Sequence, residues 1–343
     1  MPVERVFTQT DAKEAEFLNT LRPRALDECI GQQQVRDQLR IALDAARLRD
    51  EPMDHVLLDG PPGLGKTTLA HIIANELGRA IRVTSGPAIT RQGDLMSMLT
   101  QMERGDVLFI DEIHRLNKVV EEFLYPALED FRVDYTTESG IGGRTINFKL
   151  HPFTLVGATT RAGMLSGALR DRFGIPLHLD FYEIEEMTEI LTRSARMLEI
   201  NADQPAMRRL AARSRGTPRI ANRLLKRVRD YSTVRSDGRV TEEIVDATMQ
   251  LMQVDKLGLD SLDYGYLRTL IEHYDGGPAG VEAISASMGQ ERDTLEDVVE
   301  PYLLQIGFVI RTPRGRMARP AAFEHLGYDA SRGKKADNSP GLF

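Results

Sequence analysis

Apolar and polar residues follow two different rhythms along this chain, and the rhythm changes near residue 183. Before that point, short apolar runs at 56–58, 107–110 and 153–158 are separated by stretches with helical spacing. Short buried runs that alternate with helices are typical of parallel strands. We therefore predict an α/β domain over residues 1–182, with a parallel sheet covered by helices on both faces.

The rest of the chain predicts two smaller domains and a tail. From 183 to 254 apolar residues recur only at helical spacing, as at Leu224, Leu225 and Val228, which predicts a small helical domain. Residues 255–330 contain three helical stretches, an apolar run and a basic turn around Gly315, the layout of a winged-helix DNA-binding module. Residues 331–343 form a polar tail.

The amino-acid composition indicates the class of protein and its cellular compartment. Its 343 residues are 41% hydrophobic and 28% charged, as expected for a soluble globular protein. The single cysteine, Cys29, excludes a disulfide framework within the chain and favours a reducing compartment. Residues 1–16 do not resemble a signal peptide, and no apolar run reaches the roughly 18–20 residues that cross a bilayer. We expect a cytoplasmic protein without a membrane partner.

The net charge of −7 argues against a surface coated with nucleic acid. It leaves room for a local DNA-binding face, because phosphate contacts depend on local arginines and lysines. Such a cluster occurs near the end of the chain, at Arg311, Arg314, Arg316 and Arg319.

The sequence Gly-Pro-Pro-Gly-Leu-Gly-Lys-Thr at 60–67 matches the P-loop pattern in full. Glycines such as Gly63 and Gly65 let backbone N–H groups approach a polyphosphate, and the helix that follows adds its positive end. Lys66 can reach the β- and γ-phosphates, and the Thr67 hydroxyl can ligate Mg²⁺. A strand before the motif and a helix after it disfavour a simple glycine-rich turn. ATP and Mg²⁺ are the predicted cofactors.

A pair of carboxylates follows the apolar run at 107–110. Asp111 can hold Mg²⁺ through water, and Glu112 can polarise the water that attacks the γ-phosphate. Alone, the pair would be read as an acidic helix cap. Together with the P-loop it predicts ATP hydrolysis.

A P-loop followed by Asp111 and Glu112 is the signature of AAA+ ATPases, and the chain resembles one family of them, the bacterial RuvB proteins. The resemblance extends from about Thr20 to Gly327. Its most specific stretches are 60–70, 111–116, 157–163, 169–174, 216–223 and 311–316. It implies an ATP-driven motor that moves Holliday junctions in recombination and repair. It further implies a hexameric ring around duplex DNA, with RuvA holding the junction. Whether the RuvC nuclease also docks on this chain is left open.

The resemblance also assigns roles to single residues. Thr160 matches the polar sensor near the γ-phosphate, with Thr159 as the second choice; a strand-ending threonine is the alternative. Arg172 matches an arginine finger that acts on the neighbouring subunit's ATP, unless it only forms a salt bridge with Asp171. Arg219 matches the second sensor, unless it is a solvated helix arginine.

Three further groups of residues are implied by the same resemblance. Leu21, Arg22 and Tyr182 match the adenosine pocket, and Thr68 continues the P-loop. Glu129, Asp130 and Phe131 match the subunit interface near the neighbour's nucleotide. Arg311 and Arg316, with Arg292 as a weaker third, match contacts to DNA phosphates, which read no sequence.

Residues 131–149 alternate apolar and polar on either side of a glycine-rich turn at 140–143, which predicts a β-hairpin. The resemblance implies that this hairpin docks on RuvA, with Ile141, Ile146 and Phe148 as apolar surface. A hairpin folded back onto its own domain is the alternative.

Two other functions compete with a motor. An ATP-switched loader shares the P-loop, the carboxylate pair and the finger, but does not usually end in a basic winged helix. A DNA-binding regulator with a vestigial nucleotide site is disfavoured because every catalytic position is present.

Overall fold

The computed structural model describes residues 17–136, 145–329 and Ser331. The chain forms two compact units. One spans Arg22–Tyr182, and the other consists of residues from Glu183 onward together with the segment that ends at Leu21. None of the helices in the described ranges combines the length and apolar character of a membrane span.

The first unit is built on a five-stranded parallel sheet. Its strands are β1 (Val56–Asp59), β2 (Ile81–Ser85), β3 (Val107–Asp111), β6 (Thr154–Thr159) and β7 (Ile175–His178), in the order β2-β3-β6-β1-β7. Its helices are α1 (Gln33–Arg49), α2 (Lys66–Leu77), α3 (Gln92–Leu99), α4 (Lys118–Glu129) and α5 (Gly167–Arg170). The predicted α/β fold with a parallel sheet is confirmed.

The central strands are mostly apolar, as expected where both faces of a sheet are buried. Along β3, Leu108 and Ile110 join one core, and Val107 and Phe109 join the other. This alternation is the two-residue period of a strand. Here both sets of side chains enter a hydrophobic core, one on each face of the sheet, and neither set faces solvent. A rigid sheet of this kind fixes the positions of the loops at its carboxyl edge.

The two strands of the predicted β-hairpin are present in the structure. Strands β4 (Arg132–Thr136) and β5 (Thr145–Lys149) pair antiparallel, with Val133 opposite Phe148. Val133 is buried, and Phe148 is half-buried against the same core. The glycine-rich turn, Ile141 and the side chain of Ile146 lie outside the described residues.

The second unit begins with four helices: α6 (Ile184–Met197), α7 (Gln204–Ala211), α8 (Pro218–Arg235) and α9 (Glu242–Leu251). Helix α10 (Ser261–Arg268) runs on into a π-helical turn (Thr269–His273) and is followed by α11 (Val281–Met288). The next helix, named α12 as a whole, consists of Arg292–Thr294, a π-helical turn at Leu295–Val299, and Glu300–Gln305. Strands β8 (Val309–Thr312) and β9 (Gly315–Ala318) pair antiparallel, and α13 (Pro320–His325) follows.

Three helices followed by a hairpin agree with the predicted winged helix, and α13 is an addition to it. The core contains Tyr266, Leu303 and Phe323, all completely buried. Gly315 opens β9 with a φ of 133°, and a Cβ there would lie 2.4 Å from the Ala279 carbonyl oxygen. The tip of the hairpin therefore needs glycine to pack against the body of the domain.

Candidate active site and candidate DNA-binding wing

The P-loop curls tightly between β1 and α2. Gly60, Gly63 and Gly65 have φ values of 137°, 82° and 105°, a region that favours glycine. A Cβ on Gly60 would lie 2.4 Å from the Leu179 carbonyl oxygen. The Lys66 ammonium group is buried inside the curl, 2.6 Å from the Gly60 carbonyl oxygen and 2.9 Å from that of Pro61. A cradle this close to the backbone, with one ammonium group at its centre, fits a polyphosphate.

Sheet order brings the remaining candidates to the same edge. Strand β6 lies between β1 and β3, with Asp59 level with Thr159 and Ile110 level with Gly157. Parallel strands end at one edge, so the P-loop after β1, the carboxylates after β3 and the threonines after β6 are neighbours.

Glu112 stands at the centre of this edge. Its backbone has a φ of 48°, and its N–H donates to the Asp111 carboxylate at 3.0 Å. The Thr160 hydroxyl donates to Glu112 Oε2 at 3.3 Å, and His114 Nδ1 lies 3.3 Å from the same oxygen. One third of the Glu112 side chain remains exposed. A carboxylate that is oriented by neighbouring side chains and partly open to solvent can accept a proton from water.

Thr159 and Thr160 have different surroundings. Thr159 is completely buried, and its hydroxyl lies 2.8 Å from His114 Nδ1 while accepting the Arg161 N–H at 3.0 Å. Thr160 contacts the Glu112 carboxylate instead. This arrangement favours Thr160 as the sensor. His114, which sequence reasoning missed, joins Thr159 to Glu112, and its proximity to the carboxylate pair in sequence was the available signal.

Arg172 lies against helix α4 of its own chain. Its Nη2 is 3.0 Å from Glu129 Oε1, and its guanidinium lies 4.2 Å from the centre of the Tyr125 ring. Nη1 donates to the Ala168 carbonyl at 2.5 Å. Arg172 and Glu129, which the resemblance assigned to one subunit boundary, thus contact each other, and the partner seen for Arg172 is Glu129 rather than Asp171.

The other two residues of that boundary have structural contacts. Asp130 pairs with Arg132 at 3.1 Å, and the Phe131 ring packs edge-on against Phe153 and His55. His55 Nδ1 accepts the Leu155 N–H at 3.0 Å, and its Nε2 lies 3.1 Å from the Leu128 carbonyl oxygen. Burial lowers the pKa of His55, so the neutral ring links β6 to the end of α4, where Glu129 lies.

The residues assigned to adenosine and to the second sensor fall in both units. The Tyr182 hydroxyl donates to the Leu64 carbonyl of the P-loop at 3.4 Å. Arg22 opens the first unit. In the second unit, Leu21 is buried and its carbonyl accepts from Arg193 at 2.9 Å. Arg219 is exposed at the second position of α8, after Pro218.

In the winged helix, the two wing arginines meet a buried carboxylate. Arg311 and Arg316 stand directly opposite each other on β8 and β9, an arrangement that repels when unscreened. Arg311 Nη2 lies 2.6 Å from Glu300 Oε2, and Arg316 Nε lies 2.9 Å from Glu300 Oε1. Glu300 is completely buried and also accepts from the Tyr266 hydroxyl at 3.0 Å.

A second glutamate extends this arrangement to Arg292. Glu296 lies 2.8 Å from Arg316 Nη2 and 3.1 Å from Arg292 Nε, and Arg292 also reaches Glu282 at 2.6 Å. We call Arg292, Glu296, Arg316, Glu300 and Arg311 the wing network. It brings together all three arginines assigned to DNA. Sequence reasoning missed Glu296 and Glu300, although their i,i+4 spacing on one helix was visible.

The network changes what these arginines can offer to phosphates. Arg292 and Arg311 keep 53% and 42% of their side chains exposed, whereas Arg316 keeps 16%. Arg316 therefore holds the wing in place more than it faces solvent, and the exposed Arg314 at the turn adds an unburied charge.

Comparison with known proteins agrees with this geometry. Three family models match: Holliday junction DNA helicase RuvB P-loop domain at residues 21–179, RuvB AAA lid domain at 182–255, and RuvB C-terminal winged helix domain at 256–327. A Holliday junction branch migration complex subunit RuvB from Kosmotoga olearia is 56% identical over 324 residues, which is 94% of this chain and 95% of the relative.

Solved structures give the same result. The Thermotoga maritima RuvB Holliday junction branch migration motor is 55% identical, with a TM-score of 0.83 over 90% of this chain and 99% of that one. A point mutant of Thermotoga maritima RuvB matches over the same shares, with 55% identity and a TM-score of 0.85.

Proposed function

Because the chain belongs to the RuvB family, we propose that it is an ATP-driven motor that moves the branch point of Holliday junctions. The observation that carries the chemistry is the contact between Thr160 and Glu112, at the sheet edge that also holds the P-loop. An ATPase needs a phosphate cradle and an oriented base side by side.

The proposed roles follow from the positions of the side chains. Lys66 holds the β- and γ-phosphates, and Glu112 takes a proton from the attacking water. Thr160 orients Glu112 and that water. Thr67 and Asp111 supply hard oxygen atoms of the kind that Mg²⁺ prefers, so they fit this ion as ligands, directly or through water. When bound, Mg²⁺ would offset the charge of the phosphates.

We further propose that the active unit is a ring, with six subunits as the family resemblance implies. Arg172 would act on the ATP of the next subunit, with Glu129, Asp130 and Phe131 near that boundary. The proximity of Arg172 to Glu129 supports their assignment to one boundary, and a planar guanidinium suits contact with phosphate oxygens. The nucleotide would also be contacted by residues of the same subunit that binds it, namely Arg219, Leu21, Arg22 and Tyr182.

Duplex DNA would contact the winged helix through Arg311 and Arg292, with Arg316 supporting the wing. RuvA would contact the hairpin at 131–149, and the antiparallel pairing of its two strands supports the presence of this hairpin. We place the motor in the cytoplasm and include RuvC among the proteins to be tested for binding.

The test is ATP turnover with and without duplex DNA, followed by junction processing with RuvA. We expect repeated turnover that DNA stimulates, and conversion of labelled junctions into duplexes only when ATP is present. Lys66→Ala should abolish both activities, because the charge on the phosphates is lost. Turnover that ignores DNA would instead favour a loader or matchmaker, and near-normal turnover in Lys66→Ala would remove the P-loop assignment.

A further inference from the structure

A buried arginine connects the turn before Arg219 to the winged-helix domain. Arg215 precedes Arg219 by four residues, and its Nη2 lies 2.5 Å from Asp263 Oδ2 in helix α10. Its Nε donates to the Gly258 carbonyl at 2.8 Å. The side chains of Arg215 and Asp263 are only 3% and 1% exposed. One end of this pair belongs to the helical domain and the other to the winged helix.

The backbone that joins the two domains is equally close-packed. Gly258 has a φ of 81°, and a Cβ there would lie 2.4 Å from the Arg213 carbonyl oxygen. Asp255 accepts the N–H groups of Leu257 and Leu259, each at 2.8 Å. Its other carboxylate oxygen lies 2.7 Å from His325 Nε2. The segment that connects the two domains is therefore a turn fixed by close packing and hydrogen bonds, and not a flexible linker.

The contacts continue from Arg215 to the wing network. The Tyr302 ring lies 5.5 Å from the Arg215 guanidinium, and the Tyr302 hydroxyl donates to the Leu257 carbonyl at 2.6 Å. Tyr302 is two residues from Glu300 on helix α12, and Glu300 holds Arg311 and Arg316. The contacts of Arg215, together with helix α12, therefore link the segment before Arg219 to the wing arginines.

Burial makes this connection stiff. Sliding the helical domain against the winged helix would separate Arg215 from Asp263 and leave a charge buried without its partner, which is strongly unfavourable. It would also leave the Gly258 carbonyl without its donor. The two domains can therefore change position together at much lower cost than separately.

We propose that Arg215 is a positioning residue that makes the helical and winged-helix domains move as a single lever. Nucleotide-dependent movement of the segment around Arg219 is then transmitted to the wing arginines. The proposal rests on the proposed motor function. It extends that function by naming the joint through which ATP hydrolysis acts on DNA.

The first experiment measures coupling in the full-length protein with RuvA and junction DNA. The variants are Arg215→Lys, which keeps the charge but loses the planar fork, and Asp263→Asn. Asp246→Asn is the matched control, because Asp246 pairs with Arg213 at 2.8 Å inside the helical domain alone. Burial raises the pKa of Asp263 to about 7 against the opposing effect of Arg215, so assays at about pH 8 keep the carboxylate ionised.

We expect both variants to keep basal ATP turnover and duplex binding while junctions processed per ATP fall by roughly 2- to 30-fold. Asp246→Asn should keep the wild-type ratio. Wild-type coupling in both folded variants, or loss of basal turnover together with coupling, would overturn the proposal. If wild-type protein itself processed no junctions, the proposed function would have failed instead.

A second measurement does not depend on the stability of those variants. Spin labels would be placed at the exposed positions Val234 in α8 and Ala286 in α11, in a chain carrying Cys29→Ser. The distribution of distances between the two labels should be narrow, and its mean should be the same with ADP and with a slowly hydrolysed ATP analogue. A distance that changes between the two nucleotides would show that the domains move separately and would contradict the single lever.

Discussion

The nucleotide edge of the first unit and the wing of the second unit treat their charged residues in opposite ways. At the nucleotide edge, Glu112 contacts Thr160 and His114 and keeps one third of its side chain exposed. At the wing, Arg311 and Arg316 share a completely buried glutamate. A catalytic carboxylate must keep its charge available to water, whereas two opposed arginines need a counter-charge before the hairpin can form.

The comparison shows that counting charges in a sequence overestimates a DNA-binding surface. Glu296 and Glu300 neutralise part of the positive charge of the wing-network arginines within the domain itself. The charged residues at the nucleotide edge, in contrast, lie together where the motifs predict, at the sheet edge beside the P-loop. The predictions that follow test the two regions separately.

The largest effect is expected for Arg172→Ala. In the assembled protein, ATP turnover should fall by a factor on the order of 10³ or more, the scale for arginine fingers. Nucleotide binding by an isolated subunit should stay nearly unchanged, because the finger acts on the neighbour's ATP. Arg170→Ala is the matched control, since Arg170 donates to the Ala162 carbonyl at 2.7 Å.

Mixing variants tests whether the site is shared between subunits. Arg172→Ala subunits mixed with Lys66→Ala subunits should regain some turnover, because an intact P-loop then meets an intact finger. Full-rate hydrolysis by a wild-type subunit shown to be monomeric would contradict a finger that acts on the neighbour.

A loss of turnover by roughly 10²-fold or more is expected for Glu112→Gln, the usual range for removal of a general base. Binding of ATP and DNA should persist, as measured by fluorescent-nucleotide titration and gel shift. Glu122→Gln on the exposed side of α4 should leave turnover unchanged. Loss of ATP binding in Glu112→Gln would make Glu112 structural.

At the wing, removing arginines alone would leave Glu300 buried without a cation, which destabilises the domain. The informative comparison is therefore Glu300→Gln alone against Glu300→Gln with Arg311→Ala and Arg316→Ala. We expect the two arginines to account for roughly one to two units of the slope of log affinity against log salt, equally on any sequence. Losses limited to particular sequences would indicate base readout.

The smallest expected effect concerns His55, a buried titratable group of the first unit. Burial lowers its pKa, so the stability it contributes is present above the unfolded pKa of about 6.5 and is lost as pH falls. The melting temperature of the wild type should drop between about pH 7 and pH 5. His55→Gln should drop less, and an equal drop would exclude His55 as the cause.

The sequence alone determined the central architecture and the identity of the nucleotide site. Strands β3 and β6 are mostly apolar, and the P-loop is a contiguous motif, so both are visible in local pattern. The edge strands β2 and β7 were not predicted. They carry Arg82, Thr84 and Pro176 among apolar residues, since an edge strand need not be apolar on both sides.

Only the tertiary structure decided which partners the candidate residues have. The contacts of Thr160 with Glu112, Arg172 with Glu129, and Arg215 with Asp263 each join residues far apart in the chain. Local pattern contains no information on such pairs, because sheet order and domain packing bring them together. The same is true of Glu300, whose spacing on α12 is ordinary. Its burial beneath two opposed arginines exists only once the wing has folded onto the helix.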